Sequence, residues 1–463
     1  MEPEALTHDP VRRVLLIARF FPPLGGAGVH RSLGTVRHLP TAGYQVRVIT
    51  GPGAGTDRWS PEDPGLLATL PAGTEIHRVP GPEPVEGPLT RRAGRWLART
   101  TPRVRWWTDE VVRLGLEVGA DADLIYVSCA PYETAWAGAR LAAELGKPWV
   151  ADLEDPWALD EMRVQPTAVH QWIDLHRMRG GLASASAVVM CAPEAAVHMR
   201  RVLPRPAADR VASIEIGFES EAFAGPPRAA AGVDAPFRIV HTGSMHTDLG
   251  RRHRRSLPVR RLLGGTSVDV DILTRSHVYL MEALDRVIAE SPALRGRVEL
   301  QLAGDLTAAD RAAVGERDYV HQLGRLDHPA TVGLMCSADL LFLPMHELPP
   351  GRRAGLIPYK TFEYLAAERP ILAAVPDGDV RDLLAGLDHA TVCRPSDVGA
   401  LSEAIRAAIQ RGRVEQVAQG VDSPELRGLE RWRLVGRISG VLDEVLGSER
   451  ATAAVPPAAR PPA

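Results

Sequence analysis

The chain has few cysteines, and their spacing argues against two common roles. Only four occur among 463 residues, and no two of them form a C-x-x-C pair. They are Cys129, Cys191, Cys336 and Cys393. Disulfide-rich domains need many cysteines and structural zinc sites need closely spaced thiolates, so neither is predicted. A reducing, cytoplasmic location fits this composition.

The chain also lacks long apolar runs and an excess of positive charge. Its apolar segments fall well short of the roughly 18 residues that cross a membrane, and none is typical of a signal peptide. The formal net charge is -3, whereas general nucleic-acid binding needs a basic domain. We therefore expect no transmembrane segment and no nucleic-acid partner, with peripheral membrane contact left open.

Short apolar strands alternate with helical patterns along the chain, which predicts parallel sheets covered by helices on both faces. The alternation spans 11–218 and again 237–423, and an Ala/Gly/Pro-rich linker at 219–236 separates the two series. We therefore predict an α/β fold of two doubly wound, Rossmann-like domains. A helical pattern at 424–446 has no strand after it, and the Ala/Pro-rich tail 449–463 is expected to be disordered.

The pattern sets the predicted elements within these domains. Strands are predicted at 14–18, 45–50, 75–79, 124–128, 149–152, 187–191, 237–241, 297–302, 319–322, 339–343 and 371–375. Helices in the first domain are predicted at 29–39, 104–118, 132–145 and 168–182.

The stretch Ile357-Pro-Tyr-Lys-Thr-Phe-Glu-Tyr-Leu-Ala366 carries the most informative functional pattern. Pro358 suits a first helical turn, and Lys360 and Glu363 lie three residues apart on one helix face. A helix N-terminus and a lysine attract phosphate, while a carboxylate accepts hydrogen bonds from sugar hydroxyls. The pattern predicts a ligand with both groups, and the alternative is a Lys–Glu pair that caps an ordinary helix.

The first strand runs into a glycine-rich turn, Phe20-Phe-Pro-Pro-Leu-Gly-Gly-Ala-Gly28. Gly25, Gly26 and Gly28 would let backbone amides approach a phosphate or a sugar at the start of a helix. The turn is not G-x-G-x-x-G, and no acidic residue closes the second strand, so an NAD site is not expected.

Polar side chains follow two further strands, where ligands of open α/β sheets gather. The candidates are Ser128, Tyr132, Glu133, Asp152 and Asp155. Alternatively, the two aspartates only cap turns and helices. His30 and His241 lie at helix and strand ends beside this edge, where each could contact a phosphate or cap a turn.

Several of these segments together resemble retaining family-4 glycosyltransferases. The resemblance covers residues 11–446 and rests on the Lys-x-Phe-Glu-Tyr-Leu-Ala stretch, the Phe-Pro-Pro-x-Gly-Gly-x-Gly turn, Arg238-Ile-Val-His-Thr-Gly-Ser-Met245 and Val320-His-Gln-Leu-Gly-Arg-Leu-Asp327. It implies a GT-B architecture, in which two domains face each other across a cleft and the C-terminal helix crosses back to the first domain. It also implies sugar transfer from a nucleoside-diphosphate sugar to an acceptor hydroxyl or amine, with retention and without metal or organic cofactor.

The resemblance also assigns roles to residues. Lys360, with Arg251 or Arg252, would stabilise the leaving diphosphate, and Glu363 would bind the ribose. The other implied donor contacts are Gly243, Ser244, Leu323, Gly324, Pro358 and Tyr359. The acceptor would lie in the first domain, under the loop 25–28. The basic run at 251–255 is alternatively a solvated loop, and 246–275 is interpreted as an insertion.

Two departures from the family keep other functions open. The family has two glutamates eight positions apart, and the first would fall at Gly355. Glu154 stands where a subgroup has arginine. A catalytically silent partner protein that binds sugar nucleotides is one alternative, and a nucleotide-sugar 2-epimerase of the same fold is another.

Two further patterns have competing interpretations. Asp269-Val-Asp271 has the spacing of a metal-binding D-x-D motif, but Asp121-Ala-Asp123 shows the same spacing, and no metal site is predicted. The basic stretch 91–116 contains Trp96, Trp106 and Trp107. It is interpreted either as a membrane-surface helix or as a helix that packs its tryptophans on the first domain.

Overall fold

The computed structural model describes residues 11–53, 60–87, 94, 96–97, 100–205, 207–224, 235–412 and 424–453. Its strands are β1 (Arg12–Ala18), β2 (Tyr44–Thr50), β3 (Glu75–Arg78), β4 (Leu124–Ser128), β5 (Trp149–Leu153), β6 (Ala187–Met190), β7 (Val211–Ser213), β8 (Phe237–Thr242), β9 (Val298–Ala303), β10 (Val320–Gly324), β11 (Leu340–Pro344), β12 (Ile371–Ala374) and β13 (Ala390–Cys393).

The helices fill the connections between these strands. They are α1 (Ala27–His38), α2 (Pro102–Val118), α3 (Thr134–Leu145), α4 (Ala168–Leu182), α5 (Pro193–Val202), α6 (Thr247–Leu262), α7 (Val278–Glu290), α8 (Ala308–Val314), α9 (His328–Cys336), α10 (Lys360–Ala366), α11 (Asp379–Ala385), α12 (Val398–Arg411), α13 (Pro424–Arg427) and α14 (Arg431–Ala453). Short 3-10 turns include Trp157–Leu159, Ser220–Phe223 and Ile272–Thr274.

Both sheets are parallel throughout the described strand pairs, as predicted. The first has the order β3-β2-β1-β4-β5-β6-β7 and the second β10-β9-β8-β11-β12-β13. Side chains of a strand alternate between faces, and β1 shows this: Leu15 and Ile17 join the core on one face, Val14 and Leu16 the core on the other. Burial of both faces explains why the inner strands β4, β5, β6, β11 and β12 are largely apolar runs without a polar face.

The C-terminal helix α14 returns to the first domain. Leu434, Ile438 and Leu442 recur every four residues and are buried in the same core as Val14 and Leu16. The helical pattern at 424–446 is divided in two, because Leu429 O accepts from the amide of Phe218 and the amide of Arg431 donates to Phe218 O. The predicted disordered tail begins at 449, whereas α14 reaches 453; residues 454–463 lie outside the described residues.

Three segments differ from the pattern-based prediction. The run 251–255 is helical and not a loop, because it lies inside α6. Strands β7 and β13 were not predicted, since they are only three and four residues long and most of their side chains remain partly or fully exposed. In the predicted linker, 220–223 forms a 3-10 turn, and 225–234 lies outside the described residues. Within the described chain, every helix is too short or too polar to cross a membrane.

Candidate active site

Each sheet has one point where the strand order reverses, and the predicted site residues follow the strands there. These points lie between β1 and β4 in the first sheet and between β8 and β11 in the second. Ligands of open α/β sheets bind outside the carboxyl ends of the strands at such points. The glycine loop 25–28 follows β1, and Gly243 follows β8.

Lys360 begins α10, and its ammonium group lies beside His241 at the end of β8. The distance from Lys360 Nζ to His241 Nε2 is 3.1 Å, and His241 Nδ1 lies 2.9 Å from the carbonyl oxygen of Phe342. Since that carbonyl only accepts, Nδ1 carries the proton and Nε2 accepts from Lys360. Burial and the nearby charge of Arg275 lower the pKa of Lys360 to about 7, against the opposing effect of Glu363.

Glycines form the floor next to Lys360. Gly243 has φ +101°, and a Cβ there would lie 3.0 Å from Lys360 Nζ. Gly304 has φ +140°, and its Cβ would lie 2.6 Å from Gly243 O. Both positions therefore require glycine. The amide of Gly304 donates to Gly324 O at 2.8 Å, so three glycines of β8, β9 and β10 meet beside the lysine.

The cation that reaches Lys360 is Arg275 and not the predicted Arg251 or Arg252. Arg252 is on the solvent side of α6 and pairs with Asp248 at 2.7 Å. The half-buried Arg251 acts on His277. Burial lowers the pKa of His277, Asp310 opposes this effect, and the charge of Arg251 lowers the pKa further. Both arginines belong to the continuous helix α6, and it is Arg275 whose charge lowers the pKa of Lys360.

Arg275 follows the 3-10 turn that ends the 246–275 segment. Burial lowers its pKa, while three acids, Asp155, Asp160 and Glu161, oppose this at longer range. Its Nη1 lies 3.2 Å from Met162 Sδ, and no carboxylate of the described residues is within ion-pair distance of its guanidinium or of Lys360 Nζ. Two cations thus lie close together without a direct anionic partner among those residues.

Glu363 lies on α10 and contacts a histidine of α9. Its Oε1 is 3.1 Å from His328 Nε2, and this hydrogen bond raises the pKa of His328. Tyr359 stacks on His30 of the first domain, with ring centroids 4.6 Å apart. Pro358 lies two residues before α10, and its carbonyl accepts from the amide of Thr361. The structure therefore brings Glu363, Tyr359 and Lys360 together at the start of one helix.

Arg431, which the sequence analysis missed, connects this group to Gly217 at the end of the first domain. Its Nη2 donates to Tyr359 OH at 3.1 Å and to Gly217 O at 2.9 Å, and its Nη1 donates to His30 O at 3.1 Å. The residue is 2% exposed. A side chain at Gly34 would lie 2.1 Å from its Cδ, so the glycine provides the room for it.

The predicted acceptor residues are divided between the interior and the interdomain surface. Asp152 is 2% exposed, and its Oδ2 accepts from Arg31 Nε and from Tyr126 OH, each at 2.6 Å. One carboxylate oxygen of Asp152 is therefore engaged by Arg31 and Tyr126, while Oδ1 has no hydrogen-bond partner among the described residues. Ser128 is buried as well. Tyr132 stacks on Trp157 at 5.4 Å, and Glu133 precedes α3 without capping it through its side chain.

Asp155 and Glu154 lie closer to the second domain. Asp155 is solvent-accessible. The surrounding protein nevertheless raises its pKa, and the charge of Arg275 opposes this effect. Burial raises the pKa of Glu154 to about 8, although Arg31 opposes it, and no described residue forms a hydrogen bond with Glu154 Oε1. A Cβ on Gly28 would lie 3.9 Å from Glu154 Oε2, so the glycine loop covers this carboxyl group. At neutral pH the protonated form of Glu154 can donate a hydrogen bond.

The other two loop glycines contact the first domain itself. The amide of Gly25 donates to Pro61 O at 2.6 Å, and Gly26 is the N-terminal cap of α1. Of the remaining donor candidates, Ser244 follows Gly243 and is half-buried, and Leu323 is 39% exposed on the edge strand β10.

Gly355 stands where the family has its first glutamate, and residues of the first domain contact it. Its amide donates to Glu161 Oε1 at 3.0 Å, and Glu161 lies 3.5 Å from the buried His346. A Cβ at Gly355 would lie 3.1 Å from the amide nitrogen of Ala195. The two domains touch at this glycine, and a side chain there would press on the backbone of Ala195. No pattern in the sequence connects Glu161 to Gly355.

The two remaining alternatives concern the D-x-D spacing and the tryptophans. Asp271 accepts from Arg254 and from the amide of Leu273, as expected for a structural cap. Trp107 is buried, and its Nε1 donates to Thr134 at 3.0 Å, which favours packing on the first domain. Trp96 is 53% exposed, and residues 91–93, 95 and 98–99 lie outside the described residues.

Comparisons with known proteins agree with the fold. The HepE protein of Anabaena in complex with UDP has a TM-score of 0.58 and 17% identity over 94% of this chain and 100% of its own. An α,α-trehalose 6-phosphate synthase from Burkholderia multivorans has a TM-score of 0.60 and 14% identity, over 97% of this chain and 99% of its own. The MnaA protein of S. aureus in complex with UDP has a TM-score of 0.52 and 10% identity, over 94% of this chain and 97% of its own.

These likenesses establish the fold. No curated protein matches the chain. The family model described as "Glycosyl transferases group 1" matches residues 272–411, which include Arg275, Lys360 and Glu363. The predicted GT-B architecture is confirmed, and the second domain of this chain is similar to the group 1 glycosyl transferases.

Proposed function

We propose that the chain is a glycosyltransferase that moves a sugar from a nucleoside-diphosphate sugar to an acceptor hydroxyl or amine. The second domain holds the donor and the first domain holds the acceptor. Transfer proceeds with retention of anomeric configuration and without metal or organic cofactor, as the resemblance to the family implies. UDP-sugars are the first donors to test, because HepE of Anabaena has been seen with UDP and with UDP-glucose.

One observation carries the proposal, namely the pair of cations above the glycine floor. Burial and then the charge of Arg275 lower the pKa of Lys360, yet no carboxylate of the described residues pairs directly with either cation. Such a pair is costly in an empty site and favourable once an anion lies between the two groups. A diphosphate satisfies both cations, and the bare backbone at Gly243 and Gly304 lets it approach closely.

The same cations account for catalysis. When the bond from the sugar to the diphosphate breaks, negative charge grows on the departing oxygen. Fixed cations in a partly water-excluded site stabilise this charge more than the ground state, which lowers the barrier. Glu363 is one turn from Lys360 and accepts from the ribose hydroxyls, with His328 holding its carboxylate in place.

Donor turnover tests this proposal. Release of UDP from UDP-glucose and other UDP-sugars is followed in wild type, Lys360→Met and Arg286→Ala, the last an exposed arginine of α7 that serves as control. We expect slow hydrolysis by wild type and the control, and a loss of about 100-fold or more in Lys360→Met, a typical effect of removing a charge-stabilising donor. Equal rates in wild type and Lys360→Met would exclude this role.

The silent sugar-nucleotide binder remains the second candidate. It is favoured by Gly355, which stands where the family has a glutamate and packs tightly against Ala195. A binder would be stabilised by nucleotide yet release no UDP from any donor, with or without acceptor. Detectable hydrolysis that depends on Lys360 would exclude it.

A further inference from the structure

Exposed hydrophobic side chains are concentrated in three neighbouring segments. Of the thirteen large hydrophobic residues that are exposed in the described part of the chain, seven belong to them: Trp96, Leu97, Val169, Trp172, Val259, Leu262 and Leu263. Leu262 is 85% exposed and Trp172 is 65% exposed. Single exposed apolar residues are ordinary, but a contiguous group of them marks an interaction surface.

Direct contacts join these segments into one surface, here named the apolar ridge (96–97, 168–172 and 259–264). His170 Nε2 lies 3.1 Å from Trp96 O, and the two rings meet edge to face at 5.9 Å. A Cβ on Gly264 would lie 3.5 Å from Ala168 Cβ. Ala168 and Trp172 are one helical turn apart on α4. The ridge therefore runs from the first domain to the end of α6 in the second.

The ridge is strongly basic along α6. This helix has six arginines and one aspartate, a formal charge of about +5, whereas the whole chain carries -3. Arg260 is turned inward and donates to Thr266 O at 2.9 Å. Arg252, Arg255 and Arg261 are exposed around Val259 and Leu262. Apolar side chains flanked by arginines are typical of helices that lie in a membrane interface.

We propose that the apolar ridge docks on an anionic lipid bilayer. Leu262 and Trp172 enter the boundary between headgroups and acyl chains, and the arginines of α6 contact the lipid phosphates. A second copy of this chain fits the ridge less well. In a symmetric dimer the same surface faces itself, so the arginines of both α6 helices would be brought together.

The position of the ridge gives the contact a function, which rests on the proposed glycosyl transfer. Thr266 Oγ1 donates to Arg163 O at 2.8 Å, directly after the ridge. The guanidinium of Arg163 lies 5.1 Å from the centre of the Tyr132 ring, on the acceptor side. A bilayer on the ridge therefore lies beside the acceptor side, and the acceptor class is a lipid-linked hydroxyl or amine presented at headgroup level.

Vesicle binding tests the proposal with the full chain. Co-sedimentation is measured with vesicles of phosphatidylcholine alone and of phosphatidylcholine with phosphatidylglycerol, at low and high salt. We expect binding to the anionic vesicles only, weakened by salt because the arginines of α6 are exposed. Trp172→Glu/Leu262→Glu should lose binding, and Arg255→Glu/Arg261→Glu should weaken it by about tenfold or more. Val85→Glu, at a residue that is 97% exposed outside the ridge, should bind like wild type.

Three outcomes would overturn the proposal. One is wild type that binds neither vesicle, and another is a Trp172→Glu/Leu262→Glu variant that melts normally and still binds. The third is a concentration-dependent dimer in sedimentation equilibrium that Leu262→Glu dissociates, which would assign the ridge to self-association. Stabilisation by UDP, measured on the same samples, reports on the donor site alone. A wild type that binds no vesicle but is stabilised by UDP would therefore refute the role of the ridge and leave the proposed transferase standing.

Discussion

Lys360 contacts His241 and is influenced by the charge of Arg275, and these surroundings control its protonation. Burial and the charge of Arg275 lower its pKa to about 7, so part of the population is neutral at physiological pH. A bound diphosphate stabilises the charged form and raises the pKa again. Lys360 therefore takes up a proton when the donor binds near neutral pH.

We predict that affinity for a nucleoside-diphosphate sugar depends on pH through Lys360. Below about pH 7 the lysine is already charged and the affinity is constant. Above that, protonation must accompany binding, so the dissociation constant rises up to about tenfold for each pH unit. Calorimetric titration of UDP-glucose from pH 6 to 9 in two buffers of different ionisation enthalpy measures both effects. A flat profile without proton uptake would contradict the assignment.

We also predict that Arg275, and not Arg252, contributes to donor binding. Arg275→Ala removes one of the two cations of the site, and loss of a charged hydrogen bond should weaken UDP binding by about 2 kcal/mol. Arg252→Ala removes only an exposed ion pair with Asp248, so affinity should remain within about twofold of wild type. Titration of both variants with UDP decides the matter, and equal effects would refute the choice of Arg275.

The sequence was sufficient for some site residues and not for others. Lys360 and Glu363 share a helix face, and their spacing alone places them together. Arg275 could not be found this way, because the 246–275 segment separates it from Gly243 and spacing gives no folded position for a long insertion. Asp152 was predicted at the ligand edge, but a buried partner, Arg31, engages it. Such pairings depend on packing between distant segments.

At the scale of elements, packing of α14 against α1 connects the two ends of the chain. Arg431 at the start of α14 extends its guanidinium past Gly34 to Tyr359, beside the donor site. The carbonyls of Ile216 and Gly217 also accept from it. The return of the C-terminal helix thus contributes a residue that connects Ile216 and Gly217, at the end of the first domain, to Tyr359 directly before α10.

We predict that Gly34→Ala destabilises the protein, although alanine is the better helix former. The added Cβ would lie 2.1 Å from Arg431 Cδ, and overpacking of this kind costs roughly 1–3 kcal/mol. Gly436→Ala on α14 meets nothing within 4 Å and should stabilise by roughly 0.5–1 kcal/mol. Urea unfolding of both variants compares them, and a stabilised Gly34→Ala would show that Arg431 moves aside freely.

Among elements, apolar strands were the easiest to predict. Residues 124–128 and 168–182 have the bounds that the pattern gave, since β4 is fully buried and α4 starts after a threonine cap. Strands β7 and β13 were not predicted, because an edge strand of three or four partly exposed residues does not form a recognisable apolar run. Their existence is set by pairing with β6 and β12.

At the scale of the whole molecule, the two domains meet through Gly355. The amide of this residue donates to Glu161 of the first domain, and Ala195 packs against its Cα. Arg353 adds an ion pair to Glu194 of the same domain at 2.7 Å. The absence of a side chain at 355 therefore permits this close approach. The order of motifs predicted two facing domains, but a contact between domains leaves no local pattern.

We predict that Gly355→Glu separates the domains. A Cβ at this position would lie 3.1 Å from the amide nitrogen of Ala195, so a glutamate should push Ala195 away and break the cross-domain hydrogen bond to Glu161. Small-angle scattering should show a larger radius of gyration, and UDP binding in the second domain should persist. Gly386→Glu, at a position with nothing within 4 Å, is the matched control and should scatter like wild type. An unchanged radius in Gly355→Glu would contradict a packed contact at this residue.

The central claim is that Lys360, Arg275 and Glu363 form a nucleoside-diphosphate site. Thermal stabilisation by UDP, GDP, TDP, ADP and CDP tests it most directly, in wild type and in Lys360→Ala/Glu363→Ala. At about 100 times the dissociation constant, binding adds roughly 2.7 kcal/mol of stability, which a melt resolves. We predict that at least one nucleotide, UDP first, stabilises wild type and not the double variant. A folded wild type that no nucleotide stabilises, or a double variant that responds as wild type does, would contradict the account.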